Sequence, residues 1–322
     1  MNLIKNHHSI YAILLGILIV STPWPQIYFD IYHIEMNDRY IYIIQAEAFA
    51  LITDYFDYFE WTSYITHEFL WGSTLGFVTR DLGVDIETLF FIFSVSIVFL
   101  FIYIVFRQVG WVATLFILNP LIIDFAFSQL RLAVAIFFLS LAYLVKPKSL
   151  KISILLLVLT PFIHTASILF VFIYFAAYFT DEKYFKVMIW RLLALVFIGL
   201  IIGLAIGPFR EIILSSVNDR RSEYQDISSS NLYLMYWMML FGTLLFQYQN
   251  SMKTFELRYS ICILSIIFVN VIFSGYSSRF LAASFPFLII AIWKVDQRKF
   301  SSIQILFAVY VVFQWAYWFR LL

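Results

Sequence analysis

The sequence predicts an all-α, polytopic membrane helix bundle with about 11 spans (10–12) and one further interfacial or re-entrant segment. Two observations predict this class. The chain is 63% hydrophobic and only 13% charged, whereas soluble domains are about half apolar and a quarter charged. Apolar runs also recur from end to end, and runs of about 20 apolar residues are typical of helices that cross a bilayer.

The predicted spans follow these apolar runs in chain order. They cover residues 9–29, 86–106, 111–127, 130–146, 150–164, 165–180, 187–207, 232–248, 257–274, 280–293 and 303–320. The first run resembles a signal peptide, but "STPWPQIYF" has no small-x-small cleavage site, so an uncleaved span is predicted. Residues 1–322 would then form a single integral-membrane domain, with periplasmic loop regions at 30–85 and 208–231.

Basic residues orient the spans, because cytoplasmic loops carry the excess of Lys and Arg. Four stretches are placed inside: 145–151, 181–191, 249–258 and 294–300. All nine lysines then lie on the cytoplasmic side: Lys5, Lys146, Lys148, Lys151, Lys183, Lys186, Lys253, Lys294 and Lys299. Eight arginines lie outside or at the outer boundary: Arg39, Arg80, Arg131, Arg210, Arg220, Arg221, Arg279 and Arg320. One interpretation of this asymmetry is membrane topology alone. The other is an outer face that binds phosphate or carboxylate, since the guanidinium of arginine is planar, permanently charged and able to pair with such groups through two N–H donors.

The region between the first two spans must begin and end outside if the spans alternate. Its stretch "WTSYITHEFLWGSTLGFVT", residues 61–79, is apolar enough to enter the membrane. We therefore expect this stretch to lie along the interface or to re-enter, and the aromatic residues around it suit an interfacial position.

Three polar motifs are predicted to reach the outer boundary. They are Gln129 with Arg131, His164 with Ser167 in "PFIHTASILF", and Tyr276, Ser278 and Arg279 in "SGYSSRF". Taken singly, each has a structural interpretation, such as an arginine that snorkels to the interface. Together they place two guanidiniums and one imidazole on one side of the membrane, where ionisable groups are usually functional.

This set of side chains suits a phosphate or diphosphate substrate with a histidine for proton transfer. The acidic candidates are Asp38, Asp54, Asp57 and Glu68. No metal-ligand spacing and no glycine-rich nucleotide loop is present, and the lone cysteine, Cys262, excludes a disulfide within the chain. A lipid-linked phosphate at the outer leaflet therefore fits better than a cytosolic nucleotide sugar, and no metal or cofactor is expected.

Five stretches, in order, resemble the EpsG/Wzy-type polysaccharide polymerases of bacterial envelopes. They are "NDRYIYIIQAEAF", "HEFLWGSTLGFVTRDLGVDIETLFFIFSVSIVFLFIYIVFR", "SQLRLAVAIFFLSLAYL", "FIHTASILF" and "GYSSRF". The chain departs from the family pattern at two places. Arg39 stands where an Asp-Tyr-x-x-Tyr element has its first tyrosine, and Gln129-Leu130-Arg131 replaces the commoner Arg-Gln.

The resemblance implies a metal-independent glycosyltransferase of the bacterial inner (cytoplasmic) membrane, multi-pass and active at the periplasmic face. Such an enzyme joins the repeat units of O-antigen, capsule or exopolysaccharide. The growing glycan on undecaprenyl diphosphate is the donor, and a sugar hydroxyl of the next lipid-linked unit is the acceptor. The implied partners are undecaprenyl-diphosphate-linked oligosaccharides, the lipid bilayer and a chain-length regulator protein, with no nucleic acid.

Roles follow for the candidate residues. Arg131 and Arg279 are expected to clamp the donor diphosphate and stabilise the charge that develops on it. His164 is expected to orient or deprotonate the acceptor hydroxyl, with Glu68 or Asp38 as the competing base. The expected substrate-binding residues are Gln129, Arg39, Tyr276, Ser278 and Ser167.

Two other functions stay open from the sequence. A flippase or transporter for a lipid-linked glycan would also place arginines in a cavity, although its polar residues should continue to the cytoplasmic side. A lipid-phosphate-sugar-dependent membrane glycosyltransferase would use an acidic first outer loop. "TDYFDYFE" supplies Asp54 and Asp57 for that role, in a D-x-x-D spacing.

Overall fold

A computed structural model of the protein describes residues 2–51, 63–216, 231–273, 277–295 and 301–321. Within these ranges all regular elements are helical. The α-helices are α1 Asn2–Ser21, α2 Trp24–Tyr32, α3 Asn37–Leu51, α4 Ser63–Thr66, α5 Phe69–Gly76, α6 Ile86–Val109, α7 Trp111–Thr114, α8 Pro120–Phe127, α9 Leu130–Val145, α10 Leu150–Ile163, α11 Ser167–Phe179, α12 Met188–Ile206, α13 Arg210–Ser216, α14 Asn231–Phe246, α15 Tyr248–Ser251, α16 Phe255–Phe273, α17 Ser277–Val295 and α18 Ser302–Trp318. A π-helical turn at Phe77–Asp81 continues α5, and a 3-10 turn at Leu115–Ile117 follows α7.

The helices confirm a membrane-embedded, all-helical class, but the prediction of about 11 spans is wrong. Among the described residues, four helices are long and apolar enough to cross a bilayer, namely α6, α12, α16 and α17. The number rises to six if α1 with α2, and α8 with α9, each count as one bent span.

The predicted count is too high because apolar runs do not all become long helices. The apolar helices α10, α11, α14 and α18 contain 14, 13, 16 and 17 residues. At about 1.5 Å per residue they are roughly 20–26 Å long, short of the roughly 30 Å hydrocarbon core. The run at 111–127 is divided among α7, the 3-10 turn and α8.

The chain forms two compact units. The first contains Met1–Ile168 with Ala316–Leu322, and the second contains Leu169–Trp315. In the first unit α6 packs against α1, α8 and α9, and α9 packs against α10. In the second unit α16 packs against α12, α14 and α17.

The region expected to be a periplasmic loop, 30–85, is largely helical where the structure describes it. Helix α3 packs against α5, and α5 and α4 pack against α10. From Ser63 to Asp81 the pieces are a 4-residue helix, an 8-residue helix and a 5-residue π-helical turn. Each piece is far too short to span a bilayer, in agreement with a stretch that does not cross.

Helices α8 and α9 meet at a bend of 101°. Asn119 caps α8 by accepting a hydrogen bond from the Leu121 backbone N–H at 2.9 Å, and Pro120 occupies the first turn. Helix α8 ends at Phe127, whose carbonyl accepts a hydrogen bond from Arg39 Nη1 at 3.3 Å. A cation is favourable at a helix C-terminus because the last carbonyls carry partial negative charge. The bend leaves Arg131 in the first turn of α9.

Candidate active site

Glu68 lies at the centre of the candidate site, just before α5. Its backbone is left-handed, with φ 55° and ψ 51°, and the residue is only 5% exposed. A left-handed residue other than glycine costs about 1–2 kcal/mol, and such strain clusters at functional sites. The Glu68 carbonyl accepts hydrogen bonds from the N–H groups of Trp71 and Gly72 at 3.0 and 3.2 Å. These bonds start α5 and fix the backbone from which the carboxylate projects.

The Glu68 carboxylate joins two other helices through both of its oxygens. Oε2 accepts a hydrogen bond from Arg131 Nη1 at 2.6 Å. Oε1 is 2.5 Å from His164 Nδ1 and accepts a weaker bond from the Thr165 backbone N–H at 3.2 Å. Thr165 Oγ1 also donates to the Ile65 carbonyl at 2.8 Å, which holds the α10–α11 turn against α4. Three segments distant in sequence therefore meet at one carboxylate.

Arg131 is held by a charge on one side and by an aromatic ring on the other. Its Cζ lies 4.7 Å from the centre of the Tyr42 ring, a cation–π distance. The Tyr42 ring in turn packs edge-on against Trp71, with centroids 5.5 Å apart. Arg131 Nε is buried and has no hydrogen-bond partner among the described residues. The guanidinium is therefore fixed in place and still has donor capacity.

His164 lies in the turn that the sequence predicts between two short helices. Its N–H donates to the Thr160 carbonyl at 3.0 Å, and its own carbonyl accepts from Ser167 N–H at 2.9 Å. Pro161 is inside α10, which continues to Ile163, so the proline does not break the helix where it stands.

The contact with Glu68 sets the tautomer of His164. An ionised carboxylate can only accept hydrogen bonds, and pairing with Arg131 favours the ionised form. The hydrogen of a neutral His164 ring therefore lies on Nδ1, and Nε2 carries the lone pair. Nε2 is the atom that can take a proton from a substrate hydroxyl.

Tyr42 and Asp38 extend this cluster along α3. They are four residues apart, so they lie on one face of the helix. Burial raises the pKa of the Tyr42 phenol to about 12; the Arg131 charge opposes this rise, and the charges of Asp38 and Glu68 add to it. Tyr42 therefore keeps its proton at neutral pH. Asp38 lies close enough for its charge to act on this ring, although its part as a competing base stays a prediction.

The remaining candidates of the first unit have different surroundings. Gln129 Nε2 donates to Asp124 Oδ2 at 2.7 Å and does not cap α9, while Gln129 Oε1 is buried without a partner among the described residues. Ser167 Oγ is likewise buried, with no partner in the described part of the chain. Arg39 pairs with Glu87 as well as with the Phe127 carbonyl. These contacts tie α3 to α6 and α8 and give Arg39 a structural role beside the substrate role predicted for it.

Ser278 and Arg279 lie in the first turn of α17, in the second unit. Arg131 belongs to the first unit, and the convergence of Arg279 with it stays a prediction. Tyr276, Asp54 and Asp57 lie outside the described residues.

Sequence reasoning missed two contributors to the site, Tyr42 and Thr165. Tyr42 is one of many aromatic residues in its region, and its spacing of four from Asp38 was the available signal. Thr165 adjoins His164, but its contact with Ile65 spans 100 residues and depends on tertiary packing.

No cluster of three or more His, Cys, Asp or Glu side chains in the described ranges is arranged to hold a metal ion. Comparison with known proteins found no matching family model, no similar curated protein and no similar solved structure.

Proposed function

We propose that this protein is a metal-independent membrane glycosyltransferase that joins lipid-linked oligosaccharide repeat units, as a Wzy-type polysaccharide polymerase does. The observation that carries the proposal is the Glu68 carboxylate that binds both His164 and Arg131. It unites a proton acceptor and a fixed guanidinium in one cluster. The resemblance of five ordered sequence stretches to that polymerase family supports the same function.

In the proposed reaction the acceptor sugar hydroxyl attacks the anomeric carbon of the donor glycan. His164 Nε2 takes the hydroxyl proton as the new C–O bond forms. The bond between the anomeric carbon and the lipid diphosphate breaks, and the diphosphate leaves with the electron pair. Glu68 holds the ring in the required tautomer and stabilises the imidazolium that forms, as the carboxylate of a catalytic triad does.

Arg131 stabilises the negative charge that develops on the leaving diphosphate. Its remaining donor capacity suits this role, since Nε has no hydrogen-bond partner among the described residues. Arg279 is the proposed second cation of the clamp. The undecaprenyl carrier, the inner-membrane location and the periplasmic orientation are parts of the same proposal, supported by the resemblance and by the distribution of lysines.

The length of the surface polysaccharide tests this function. In a strain that depends on this chain, His164→Gln should abolish long polymers, while single repeat units should still reach the surface. His67→Gln is the matched control, because His67 is a neighbouring histidine with an exposed side chain. A normal ladder of long chains in the His164→Gln strain would rule out the proposed base.

A second candidate function is a transporter for lipid-linked glycans, and the bent pairs of helices favour it. The 101° bend between α8 and α9 leaves the start of α9 buried, with Gln129 9% and Leu130 0% exposed, and transporters use the N-termini of such broken helices to bind anions. The same strains distinguish the two functions. A transporter variant would accumulate lipid-linked units on the cytoplasmic side, whereas a polymerase variant would export single units.

A further inference from the structure

The N-terminal ends of α12 and α16 lie side by side in the second unit. A Cβ atom at Gly199 would be 2.4 Å from the Cys262 carbonyl oxygen, and one at Gly203 would be 2.8 Å from Val269 Cβ. The contacts advance in the same direction along both helices, so the helices are parallel. Both positively polarised N-termini are therefore at the same end.

Each of these helices carries a buried arginine at its fourth residue. Arg191 of α12 is 5% exposed, and Arg258 of α16 is 3% exposed. Each of the three guanidinium nitrogens of Arg258 donates a hydrogen bond, to the carbonyls of Ala177 and Met252 and to Asp181 Oδ2, each at 2.8 Å. Arg258 is thus a fixed positive charge that joins α16 to the end of α11.

Arg191 has a buried Nε with no hydrogen-bond partner among the described residues. Its charge still reaches the neighbouring carboxylate of Asp181. Burial alone would raise the pKa of Asp181, but the Lys183 backbone N–H, the Arg258 guanidinium and the Arg191 charge together lower it. Asp181 accepts hydrogen bonds from the Lys183 backbone N–H and from Arg258, so the cation that pairs with this carboxylate is Arg258 and not Arg191. A buried guanidinium with an unpaired N–H lowers the stability of the fold unless an anion binds it.

The described carboxylates at this end of the second unit either have partners already or face solvent. Glu256, 4% exposed, pairs with Lys294 at 3.1 Å, and Asp181 pairs with Arg258. Both carboxylates are therefore engaged, and Glu182 of the same loop is exposed to solvent. Among the described residues, Arg191 is therefore a buried cation without an ion pair of its own, and the N-terminus of α12, which has no acidic residue in its first turn, adds about half a positive charge.

We propose that the paired N-terminal ends of α12 and α16 bind a phosphate-class anion, with Arg191 as its principal ligand and Arg258 as a fixed neighbouring charge. A guanidinium offers two parallel N–H donors that match a phosphate, and helix N-termini add backbone N–H groups. The phosphate could belong to a free phosphate ion or to a lipid headgroup. This site is independent of the glycosyl transfer proposed above, since it uses neither the Glu68 cluster nor Arg279.

Thermal unfolding of the full chain in detergent tests this site. Inorganic phosphate is titrated against sodium chloride at equal ionic strength, so that general screening cancels. We expect a saturable rise of Tm with phosphate for the unaltered protein and for Arg107→Gln, an exposed arginine of the first unit. Arg191→Gln should bind phosphate roughly 10-fold to 100-fold more weakly, because it loses the charged donors.

A second pair of measurements distinguishes the source of the phosphate. The same proteins are unfolded in nanodiscs of phosphatidylglycerol and of phosphatidylcholine. Stabilisation by phosphatidylglycerol without any response to inorganic phosphate assigns the site to a lipid headgroup, and the reverse assigns it to a soluble phosphate. If Arg191→Gln does not fold, Arg191→Lys replaces it, and the loss of the fork should still weaken binding. The proposal is overturned if neither phosphate source stabilises the protein, or if the folded Arg191 variant responds as the unaltered protein does.

Discussion

Replacing Glu68 by glutamine changes one oxygen of the candidate site into an NH₂ group and almost nothing else in shape. Both carboxylate oxygens accept hydrogen bonds, Oε1 from His164 and Thr165 and Oε2 from Arg131. An amide has one accepting oxygen, so its NH₂ must face a donor in either orientation. If the amide oxygen faces Arg131, His164 Nδ1 has to accept a hydrogen bond, and its hydrogen moves to Nε2. The ring can then no longer take a proton there.

The size of the effect follows from these contacts. Removing one partner of a buried ion pair costs about 3–5 kcal/mol. Arg131 is 20% exposed in its side chain and one acceptor survives, so we expect a loss of about 2–3 kcal/mol in the free energy of unfolding. The rate should suffer more, by about 10²–10⁴, because a wrong tautomer removes general-base catalysis.

Two measurements on the same variant check this reasoning. Polymer length on a gel reports the rate, and thermal unfolding in detergent reports the stability. Asp81→Asn is the control, since Asp81 is an exposed carboxylate paired with Arg80 on the π-helical turn and should leave the polymer unchanged. Glu68→Gln with long polymer and an unaltered Tm would refute both the ion-pair energetics and the role of the tautomer.

Three further changes give separate predictions. Arg131→Lys keeps a charge beside Glu68 but loses the planar group that lies on the Tyr42 ring. The rate of polymerisation should therefore fall about tenfold or more, and the polymer should be shorter. Gly199→Ala puts a methyl group against the α16 backbone and should lower the free energy of unfolding by about 1–3 kcal/mol, measured by denaturant titration. The pKa of Asp181 is lowered in the fold, so its stabilising bond to Arg258 is complete above the unfolded pKa of about 3.9 and is lost as pH falls through the folded value. Thermal unfolding between neutral and acid pH should therefore show a smaller acid-side loss in Asp181→Asn.

Each of these three predictions would be contradicted by a particular result. A polysaccharide ladder of normal length in the Arg131→Lys strain would show that the planar guanidinium is not required for function. Gly242→Ala is the control for Gly199→Ala, because among the described residues no atom beyond its chain neighbours and its own helix backbone lies within 4 Å of the added Cβ. Equal losses in both variants would exclude close helix packing as the cause. An Asp181→Asn protein with an unchanged acid-side slope would show that the bond to Arg258 does not depend on pH.

Much of the helical layout could be predicted wherever a span is long and continuous. The predicted ranges 86–106 and 187–207 differ by at most three residues at either end from Ile86–Val109 and Met188–Ile206. Hydropathy identifies such helices because a uniform apolar run has one favourable environment. Asn119 followed by Pro120 indicates the start of a helix within the run 111–127, since asparagine caps helices and proline suits their first turn. The break at Ser128 and Gln129 was predicted as the gap between the ranges 111–127 and 130–146, but the 101° angle between the two helices was not.

The site was predictable as a set of separate motifs but not as a cluster. Arg131 and His164 could be identified because charged groups are costly at membrane depth. Glu68 was expected only to compete with His164 as a base, whereas the structure makes it the group that binds both residues. That contact depends on how Ser63–Asp81 folds against α9 and α10, which no local pattern encodes. The pairing of Arg39 with Glu87 escaped sequence reasoning for the same reason.

The left-handed Glu68 has a consequence for how the protein is made. The ribosome adds Glu68 63 residues before Arg131 and 96 residues before His164. At about 5–20 residues per second, this carboxylate waits roughly 5–20 s for its last partner. For about 3–13 s, until Arg131 is added, the glutamate has no cation of this cluster beside it, so we expect the stretch from Ser63 to Asp81 to stay in contact with water. We therefore expect this stretch to dock late in biogenesis, once α9 and α10, against which it packs through Arg131 and His164, have been made.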